Sequence, residues 1–326
     1  MSERRDKDFL YRVIAELYNR AKYIEVIDYP KSINRRSIDI AVQLKNNKFL
    51  LVKVAHNLDD IPKGEITELL GLSIRLGIPS VIISEKNKGI LLVEGVVYEK
   101  NGAKAVALET LISAIENNDI FIYQDKESFK VKINPNKLKE KRINRNMSLG
   151  EVASMLKVSR RSVYEYERGT MEPSTNLGEK LINIFGEDIL QPVDLFLTNP
   201  NENQIMQIEE QPADVQEEEM ISNRLRQLGF ITYHAKRTVL DIGARNDQGN
   251  KILIIVRHGK EGASALSIKA QNLEKLSDAT NSDSYIVVGD EKNLLKEIEI
   301  EKAKAFTLEE FIEFLRRNFE QHNKQK

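Results

Sequence analysis

The chain repeats one order of apolar runs near its two ends, and this repetition strongly constrains its fold. At the N-terminal end, strand-like runs at 38–42 and 49–54 precede a helical pattern over 62–76 and a strand-like run at 80–84. Strand-length apolar runs that alternate with helical patterns are typical of α/β domains with a buried, partly parallel sheet. The sequence therefore predicts an α/β domain at this end.

The C-terminal third presents the same order of elements. Asp241 has the same place in its first strand-like run as Asp39 has in the N-terminal one. An order of elements that recurs with a shared residue indicates duplication of a domain. The recurring elements are a helical pattern over 215–228, which corresponds to one over 3–20, and strand-like runs at 239–244, 251–256 and 284–288, which correspond to those at 38–42, 49–54 and 80–84.

Composition and periodicity divide the chain into four segments. Helical periodicity replaces the strand-like runs in the centre, and residues 199–220 contain acidic residues but no Lys or Arg. An acidic stretch of this kind is typical of a solvated, flexible linker, and masking of the basic central segment is a competing role for it. We predict an α/β domain over 1–124, a helical domain over 125–198, a linker over 199–214 and a second α/β domain over 215–326.

The composition excludes several classes of site and of protein. The 326 residues include no Cys, so disulfides, Cys-ligated zinc, iron–sulfur clusters and thiol nucleophiles are excluded. The N-terminus has no signal-peptide pattern, and the longest apolar runs are too short to span a bilayer. We expect a cytoplasmic protein without a membrane partner. Absent Cys with abundant Lys, Glu and Ile fits a thermophile.

Residues 147–169 predict two short helices joined by a tight turn. Ser148 and Glu151 have the spacing of a capping box, which starts a helix. Ser159 is suited to cap a second helix, and Gly169 is suited to end it. The pattern is that of a helix-turn-helix with inward apolar residues, which are Val152, Met155, Leu156, Val163 and Tyr166.

The second helix carries side chains suited to reading bases. Arg160 and Arg161 lie at its N-terminal end, the part of a recognition helix that reaches base edges. Arg can donate two hydrogen bonds to guanine O6 and N7, and Glu165 can accept one from cytosine N4. Serine hydroxyls at helix starts can bind phosphates. We expect DNA contacts from Ser148, Ser159, Arg160, Arg161, Ser162, Tyr164, Glu165 and Arg168.

This central segment resembles the lambda-repressor-like (Cro/Xre) helix-turn-helix family. The resemblance implies that the residues at 160, 161 and 165 contact bases. Leu149 stands where the family commonly has Gln, and Lys157 stands where it commonly has the turn glycine, so Lys157 is expected to be left-handed at a cost of about 1 kcal/mol. The residues that carry the resemblance are Ser148, Glu151, Val152, Ala153, Leu156, Val158, Ser159, Val163, Glu167, Arg168, Gly169, Pro173 and Ser174.

Local charge agrees with DNA binding although the net charge of the chain is −1. Residues 126–170 hold twelve basic and five acidic residues, a net charge of +7. A basic segment attracts the phosphate backbone, with a strong dependence on salt. The near-zero total is therefore a sum over segments of different charge.

The α/β domains resemble the PD-(D/E)xK restriction-endonuclease-like fold, but only weakly at its metal site. That site needs an Asp and a Glu-x-Lys strand, because carboxylates hold Mg²⁺ and the Lys orients the attacking water. Asp39 and Lys53 match, whereas Leu51 occupies the acidic position and the strand after Asp241 has no acid. Glu16 on the first helix is a candidate replacement carboxylate. We predict a degenerate nuclease fold in which Asp39 and Lys53 pair with each other.

The whole order of domains is similar to a family of archaeal helix-turn-helix transcriptional regulators. The leading hypothesis is a non-enzymatic transcriptional regulator that binds double-stranded DNA in a sequence-specific manner. It would act as a homodimer in the nucleoid, without metal or cofactor. The first alternative is a Mg²⁺-dependent, structure-specific nuclease that uses Asp39, Lys53 and Glu16. The second is a docking protein for polymerase or initiation factors.

The four His residues lack the HxxxH or HExxH spacing of a zinc site.

Overall fold

The computed structural model describes residues 2–125, 128–198 and 211–320. Contacts group these residues into two compact units. The first unit contains residues up to 82, residues 101–103 and the described residues from 196 onward, and the second contains 83–100 and the described residues of 104–195. The division therefore differs from the boundaries that composition suggests, because both sequence-predicted α/β ends contribute to one unit. Of the predicted linker, residues 199–210 lie outside the described residues.

The first unit begins with an α/β arrangement, here called the N-terminal α/β segment (residues 2–82). Antiparallel strands β1, β2 and β3 pair in that order. The N–H of Leu51 in β3 donates to the carbonyl of Pro79, which places the start of β4 beside β3. The elements are α1 (Ser2–Tyr18), β1 (Ala21–Val26), β2 (Ile40–Leu44), β3 (Phe49–Asn57), α2 (Lys63–Leu76) and β4 (Ser80–Asn87).

The second unit joins short strands to a group of four helices. Strand β6 pairs in parallel with β8, and β8 pairs antiparallel with β9. The elements are β5 (Ile90–Leu91), β6 (Val96–Lys100), β7 (Ala103–Val106), α3 (Leu108–Ile115), β8 (Ile122–Asp125), β9 (Ser128–Val131), α4 (Pro135–Asn144), α5 (Leu149–Leu156), α6 (Arg160–Arg168) and α7 (Thr175–Phe185).

One apolar core joins strand β9 to the helices of the second unit. Val131 at the end of β9 is buried together with Leu138, Leu156, Val163 and Phe185 of helices α4 to α7. The N–H of Val131 donates to the carbonyl of Pro173 at 3.0 Å. These contacts place the helical group directly on the β8–β9 hairpin.

The inward position predicted for Met155 is wrong. Its side chain is 54% exposed, whereas Val152, Ala153 and Leu156 are buried. When these three residues face the core, the helical repeat carries Met155 to the flank of α5.

The first unit continues with the C-terminal α/β segment (residues 211–320). Strands β10, β11 and β12 are antiparallel neighbours, and β13 and β14 extend the sheet in parallel. The elements are α8 (Gln216–Gln227), β10 (Phe230–His234), β11 (Ile242–Asn246), β12 (Lys251–Val256), α9 (Ala263–Thr280), β13 (Asp283–Val287), α10 (Leu294–Glu297), β14 (Lys304–Phe306) and α11 (Leu308–Phe319).

Asp39 and Asp241 make matching backbone contacts in the two α/β segments. Oδ2 of Asp39 accepts a hydrogen bond from the N–H of Val54 at 2.8 Å, and Oδ2 of Asp241 accepts one from the N–H of Val256 at 2.7 Å. Each Asp also donates its own N–H to the residue two positions before that valine. Each buried carboxylate therefore bridges two neighbouring strands in the same way.

The two α/β segments pack on each other within the chain through reciprocal contacts. Helix α2 packs against β10 and β11, and α9 packs against β1 and β2. Glu68 of α2 accepts hydrogen bonds from the N–H groups of Lys236 and Arg237, both at 2.8 Å. Oδ1 of Asn272 in α9 accepts one from the N–H of Asp28 at 2.7 Å. A polar side chain from each helix thus binds the backbone loop that follows the first strand of the other segment.

Gly71 permits the close approach of α2 to the C-terminal α/β segment. A Cβ atom at this position would lie 2.3 Å from the ring of Tyr233, so any side chain would displace that ring.

Among the helices of the described residues, none is long and apolar enough to cross a membrane.

Candidate nucleic-acid interface

Local hydrogen bonds define the two helices and the turn between them. The Ser148 hydroxyl accepts from the N–H of Glu151 at 3.2 Å, and the Glu151 carboxylate accepts from the N–H of Ser148 at 2.7 Å, which completes the capping box. Lys157 adopts the left-handed conformation, with φ 58° and ψ 44°, and ends α5. Ser159 then caps α6 by accepting from the N–H of Ser162 at 3.0 Å. The helix-turn-helix predicted from the sequence is present.

The orientation of α6 is fixed by its buried side. Val163 and Tyr166 are buried against α4 and α5. Arg142 of α4 holds the Glu167 carboxylate with two hydrogen bonds, at 2.5 and 2.9 Å, and donates a third to the carbonyl of Met147 at 2.8 Å. A bidentate pair of this kind restrains rotation of α6 about its own axis. The opposite side of α6 therefore points outward in one fixed orientation.

The predicted DNA-contacting residues of α6 lie on its outward side, Ser159 caps the start of α6, and Ser148 is exposed at the start of α5. Ser148, Ser159, Arg160, Arg161, Tyr164 and Arg168 are exposed, and Ser162 and Glu165 are half-buried. The hydroxyls of Ser159 and Ser162 are 2.9 Å apart, so one of them donates to the other and the pair retains a further donor for a phosphate. The structure thus brings the residues of the recognition helix together on one accessible surface.

Two contacts organise the charged side chains of this surface. Nε of Arg161 donates to Oε1 of Glu165 at 2.8 Å, and this hydrogen bond raises the pKa of the guanidinium. The Arg168 guanidinium lies over the Tyr164 ring, 5.7 Å from its centroid. Glu165 therefore has a cationic partner before any base is present, and the Nη groups of Arg161 remain directed to solvent.

Part of the positive charge of residues 126–170 is neutralised within the second unit. Lys141 forms an ion pair with Asp188, and Arg142 pairs with Glu167 as described above. Among the described residues of α6, no carboxylate lies within ion-pair distance of Arg160. Arg160 therefore keeps a positive charge that α6 itself does not neutralise, at the N-terminal end of that helix.

The N-terminal α/β segment buries the residues that the nuclease hypothesis invokes. Nζ of Lys53 lies 3.2 Å from Oδ2 of Asp39 and 3.3 Å from Oε2 of Glu65, and donates to the carbonyl of Ile33 at 2.8 Å. The predicted pairing of Asp39 with Lys53 is present. Glu16 does not join them, because its exposed side chain pairs with Arg20 one helical turn away.

Sequence reasoning missed Glu65, the second carboxylate of this group. Glu65 lies in the first turn of α2, outside any Glu-x-Lys pattern, so no local signal identifies it. Burial raises the pKa of Glu65 to about 7 even though the Lys53 ammonium opposes that shift. Burial also raises the pKa of Asp39, again against the effect of Lys53.

This group does not fit a magnesium site that acts on DNA. Mg²⁺ in such sites binds carboxylates together with water and substrate oxygens, so it requires access for a phosphate. The side chains of Asp39, Lys53 and Glu65 are at most 3% exposed, and the Lys53 ammonium already lies within 3.3 Å of both carboxylates. Leu51, fully buried, occupies the position where the motif has an acid.

A second group of ionisable residues lies in the C-terminal α/β segment and was also missed. Glu218, Asp241 and His258 bring a ligand atom each within 4.8 Å of one another. They come from α8, from the residue before β11 and from the loop after β12. Glu218 and His258 lie far from Asp241 along the chain, so the motif that identified Asp241 did not identify them.

Family models match two stretches of the chain. Residues 7–120 match the PD-(D/E)XK superfamily domain, and residues 138–191 match the helix-turn-helix domain to which Cro/Xre-like proteins belong. No solved structure matches the chain.

Archaeal relatives match over nearly the whole chain. A protein of Aeropyrum pernix, described by name as a candidate HTH-type transcriptional regulatory protein, is 38% identical over 325 residues, which are 98% of this chain and 97% of the relative. Similarly named proteins of Saccharolobus islandicus and Saccharolobus solfataricus are each 28% identical over 297 residues, which are 90% of this chain and 91% of each relative. The chain belongs to this family of archaeal HTH-type transcriptional regulatory proteins.

Proposed function

We propose that the protein is a sequence-specific regulator that places α6 in the major groove of double-stranded DNA and catalyses no reaction. The observation that carries the proposal is the exposed pair Arg160 and Arg161 at the start of a helix whose opposite side is buried and pinned. A recognition helix reads bases mainly with its N-terminal residues. The residues of α6 thus supply both the position and the chemistry of a base reader.

Each exposed side chain has a separate role in this proposal. Arg160 and Arg161 donate to guanine O6 and N7, and each such contact contributes roughly 1–3 kcal/mol of base discrimination. Glu165 orients Arg161 and can accept from cytosine N4. Tyr164 and Arg168 contact the backbone beside the groove. Ser148, Ser159 and Ser162 bind phosphates at the starts of α5 and α6.

Selection of binding sites from a random DNA library tests the proposed readout. Wild type is expected to enrich one motif, and Arg160→Ala together with Arg161→Ala is expected to lose that enrichment while weak binding remains. Equal recovery of the same motif by both proteins would show that the readout is wrong.

Arg317→Ala provides a matched control for this experiment. Like Arg161, Arg317 is an exposed arginine bonded through Nε to a glutamate one helical turn away, but it lies on α11. Its removal is expected to leave the selected motif unchanged. If Arg317→Ala lost as much enrichment of the motif as the Arg160→Ala, Arg161→Ala variant, the loss would reflect the lower positive charge of the protein and not base readout by α6.

We also propose that the regulator binds as a homodimer and is associated with the nucleoid. A single helix-turn-helix reads a short half-site, and dimers place two recognition helices about one turn of DNA apart. The motif selected above is then expected to be a pseudo-palindrome. Sedimentation of the protein with a duplex of that motif should give two chains per duplex, whereas one chain per duplex would contradict dimeric binding.

Duplication of an ancestral α/β domain accounts for the common features of the two α/β segments. The matching contacts of Asp39 and Asp241 and the reciprocal packing of α2 and α9 support this proposal. His56 and His258 support it further, because each lies two residues after the valine that bonds to the Asp. The segments would then stabilise the chain and supply auxiliary contacts.

A nuclease remains the competing function because residues 7–120 match a superfamily that includes nucleases. The burial of Asp39, Lys53 and Glu65 supports the non-enzymatic proposal instead. Cleavage assays with Mg²⁺ and Mn²⁺ on duplexes, flaps and four-way junctions should give no products. Cleavage that Asp39→Asn abolishes would replace the non-enzymatic proposal with the nuclease.

Contacts with the transcription machinery stay a prediction from the sequence. Capture of polymerase subunits from nuclease-treated lysate by the Arg160→Ala, Arg161→Ala variant would favour such docking independently of DNA binding.

A further inference from the structure

We propose that the C-terminal α/β segment binds a divalent first-row transition cation between Glu218, Asp241 and His258. The inference goes beyond the proposed regulator and does not depend on it. The site lies in a different compact unit from α6.

The ligand atoms already converge on a single position. Oε1 of Glu218 lies 2.7 Å from Nε2 of His258, and Oδ1 of Asp241 lies 3.7 Å from the same nitrogen. The Asp241 contact is too long for a hydrogen bond. All three ligand atoms lie within 4.8 Å of one another. Small side-chain rotations would bring them to the separations, at most about 4.4 Å, that bonds of about 2.0–2.2 Å to one ion require.

Neighbouring groups hold the remaining carboxylate oxygens and so orient the ligands. Oε2 of Glu218 accepts from the N–H of Asp214 at 3.0 Å and lies 3.3 Å from Nδ1 of His234. Oδ2 of Asp241 accepts from the N–H of Val256 at 2.7 Å. Each carboxylate therefore has one oxygen fixed by the protein and one directed toward His258. Partners of this kind are what metal ligands generally require for affinity.

Comparison with the N-terminal α/β segment shows how the C-terminal group differs. There, the Lys53 ammonium lies within 3.3 Å of both Asp39 and Glu65. In the C-terminal segment, Ile255 has the place of Lys53, directly before the valine that bonds to the Asp. The charge of Lys269 acts on Asp241, but the Lys269 ammonium makes its ion pair with Glu261, at 2.8 Å. The N-terminal segment thus holds an ammonium, which cannot bind a metal ion, beside its two carboxylates, whereas the C-terminal segment holds an imidazole, whose nitrogen is a metal ligand.

The accessibility and chemistry of the site favour a transition metal. The side chain of His258 is 30% exposed and that of Asp241 13%, so an ion can enter from the His258 side and keep water ligands. Imidazole favours Zn²⁺, Fe²⁺ or Ni²⁺, and carboxylates also accept Mn²⁺. Mg²⁺ and Ca²⁺ prefer oxygen ligands alone and should compete poorly.

Calorimetric titration of the full chain with Zn²⁺, and electron paramagnetic resonance with Mn²⁺, test the proposal. The chain is first stripped with a chelator, which is then removed by dialysis. One ion per chain is expected, with no displacement by a tenfold excess of Mg²⁺. Absence of saturable binding of both Zn²⁺ and Mn²⁺ to the folded wild type would overturn the proposal.

Variants assign the bound ion to this position. His258→Ala removes an accessible ligand and is expected to weaken binding at least about a hundredfold, and Glu218→Gln should do the same. His234→Ala removes only an orienting partner, so a loss of about tenfold to a hundredfold is expected. Circular dichroism identifies any variant that fails to fold, and the two ligand variants are independent of each other.

His56→Ala is the matched control, because His56 is the counterpart of His258 in the N-terminal α/β segment. It should leave the stoichiometry and affinity unchanged. Loss of binding in His56→Ala with retention in both His258→Ala and Glu218→Gln would place the ion elsewhere and overturn the proposal.

Discussion

Nε of Arg161 donates a 2.8 Å hydrogen bond to Oε1 of Glu165 on the outward surface of the recognition helix. An acid beside an arginine lowers the attraction of that surface for phosphates of any sequence, and it restrains the guanidinium in one orientation. If α6 reads bases as proposed, the pair would therefore favour selective over general binding of DNA.

Glu165→Gln is expected to strengthen binding to random-sequence duplex roughly two- to fivefold, because it removes a negative charge and releases Arg161 from its partner. Discrimination between the selected motif and random duplex should fall. Fluorescence anisotropy at several salt concentrations measures both effects.

Glu313→Gln serves as the control, since Glu313 forms the corresponding pair with Arg317 on α11. Glu313→Gln should change neither the affinity for the selected motif nor the affinity for random-sequence duplex. Weaker binding of Glu165→Gln to all duplexes would show that Glu165 is needed for its own contact with DNA.

Glu68 is predicted to be a major determinant of the stability of the first unit. It is fully buried, and its carboxylate accepts from the N–H groups of Lys236 and Arg237 and from the hydroxyl of Ser37. Glu68→Ala leaves these donors without an acceptor, so we expect the free energy of unfolding to fall by about 2–5 kcal/mol. Chemical denaturation followed by circular dichroism measures the loss.

Glu68→Gln should have a smaller effect, because its amide retains one oxygen acceptor but turns a donor toward the remaining N–H. Glu309→Ala, an exposed change in α11, should have almost none. Equal stability of Glu68→Ala and wild type would mean that these hydrogen bonds contribute nothing to packing.

The stability of the first unit should depend on pH through Glu65. Burial raises the pKa of Glu65 to about 7, from 4.5 in the unfolded chain, against the opposing charges of Lys53 and Arg237 and with a contribution from Asp39. Between these two values the folded state holds a proton that the unfolded state has lost. The free energy of unfolding should therefore fall as pH rises from 4.5 to 7 and then level off, by about 1–3 kcal/mol for this residue.

Glu65→Gln removes this ionisation while keeping the shape of the side chain. Denaturation of wild type and variant in a chelating buffer from pH 4.5 to 8 gives the difference that belongs to Glu65. A variant whose stability falls as steeply as that of wild type would assign the pH dependence to other groups.

Local features of the chain were predictable from the sequence because neighbouring residues determine them. The capping box of Ser148 and Glu151, the cap at Ser159 and the left-handed Lys157 depend on contacts within one helical turn. The roles of Glu65 and Glu68 were not predictable, because their partners are distant in the chain. Lys236, for example, is 168 residues from Glu68.

The resemblance to nucleases illustrates the same limit. Asp39 and Lys53 could be found from the motif, but their burial depends on the packing of α2 and of the loop at Ile33. Asp241 could be found as the counterpart of Asp39, but Glu218 and His258 belong to no local pattern, and only the folded chain brings the three together.

Lys157→Gly is predicted to stabilise the helix-turn-helix. Lys157 holds a left-handed conformation, with φ 58°, in the turn between α5 and α6, and a residue with a Cβ is strained there by about 1 kcal/mol. Glycine adopts this conformation without that strain, although it loses more backbone entropy on folding, so a net gain below 1 kcal/mol is expected. Hydrogen exchange of residues 149–168 should slow accordingly.

Lys157→Ala keeps the Cβ and removes the charge, so it separates the effect of backbone strain from the effect of the lysine charge. Slower exchange in the alanine variant as well would assign the gain to the lost charge, whereas a gain confined to glycine would assign it to the backbone of the turn.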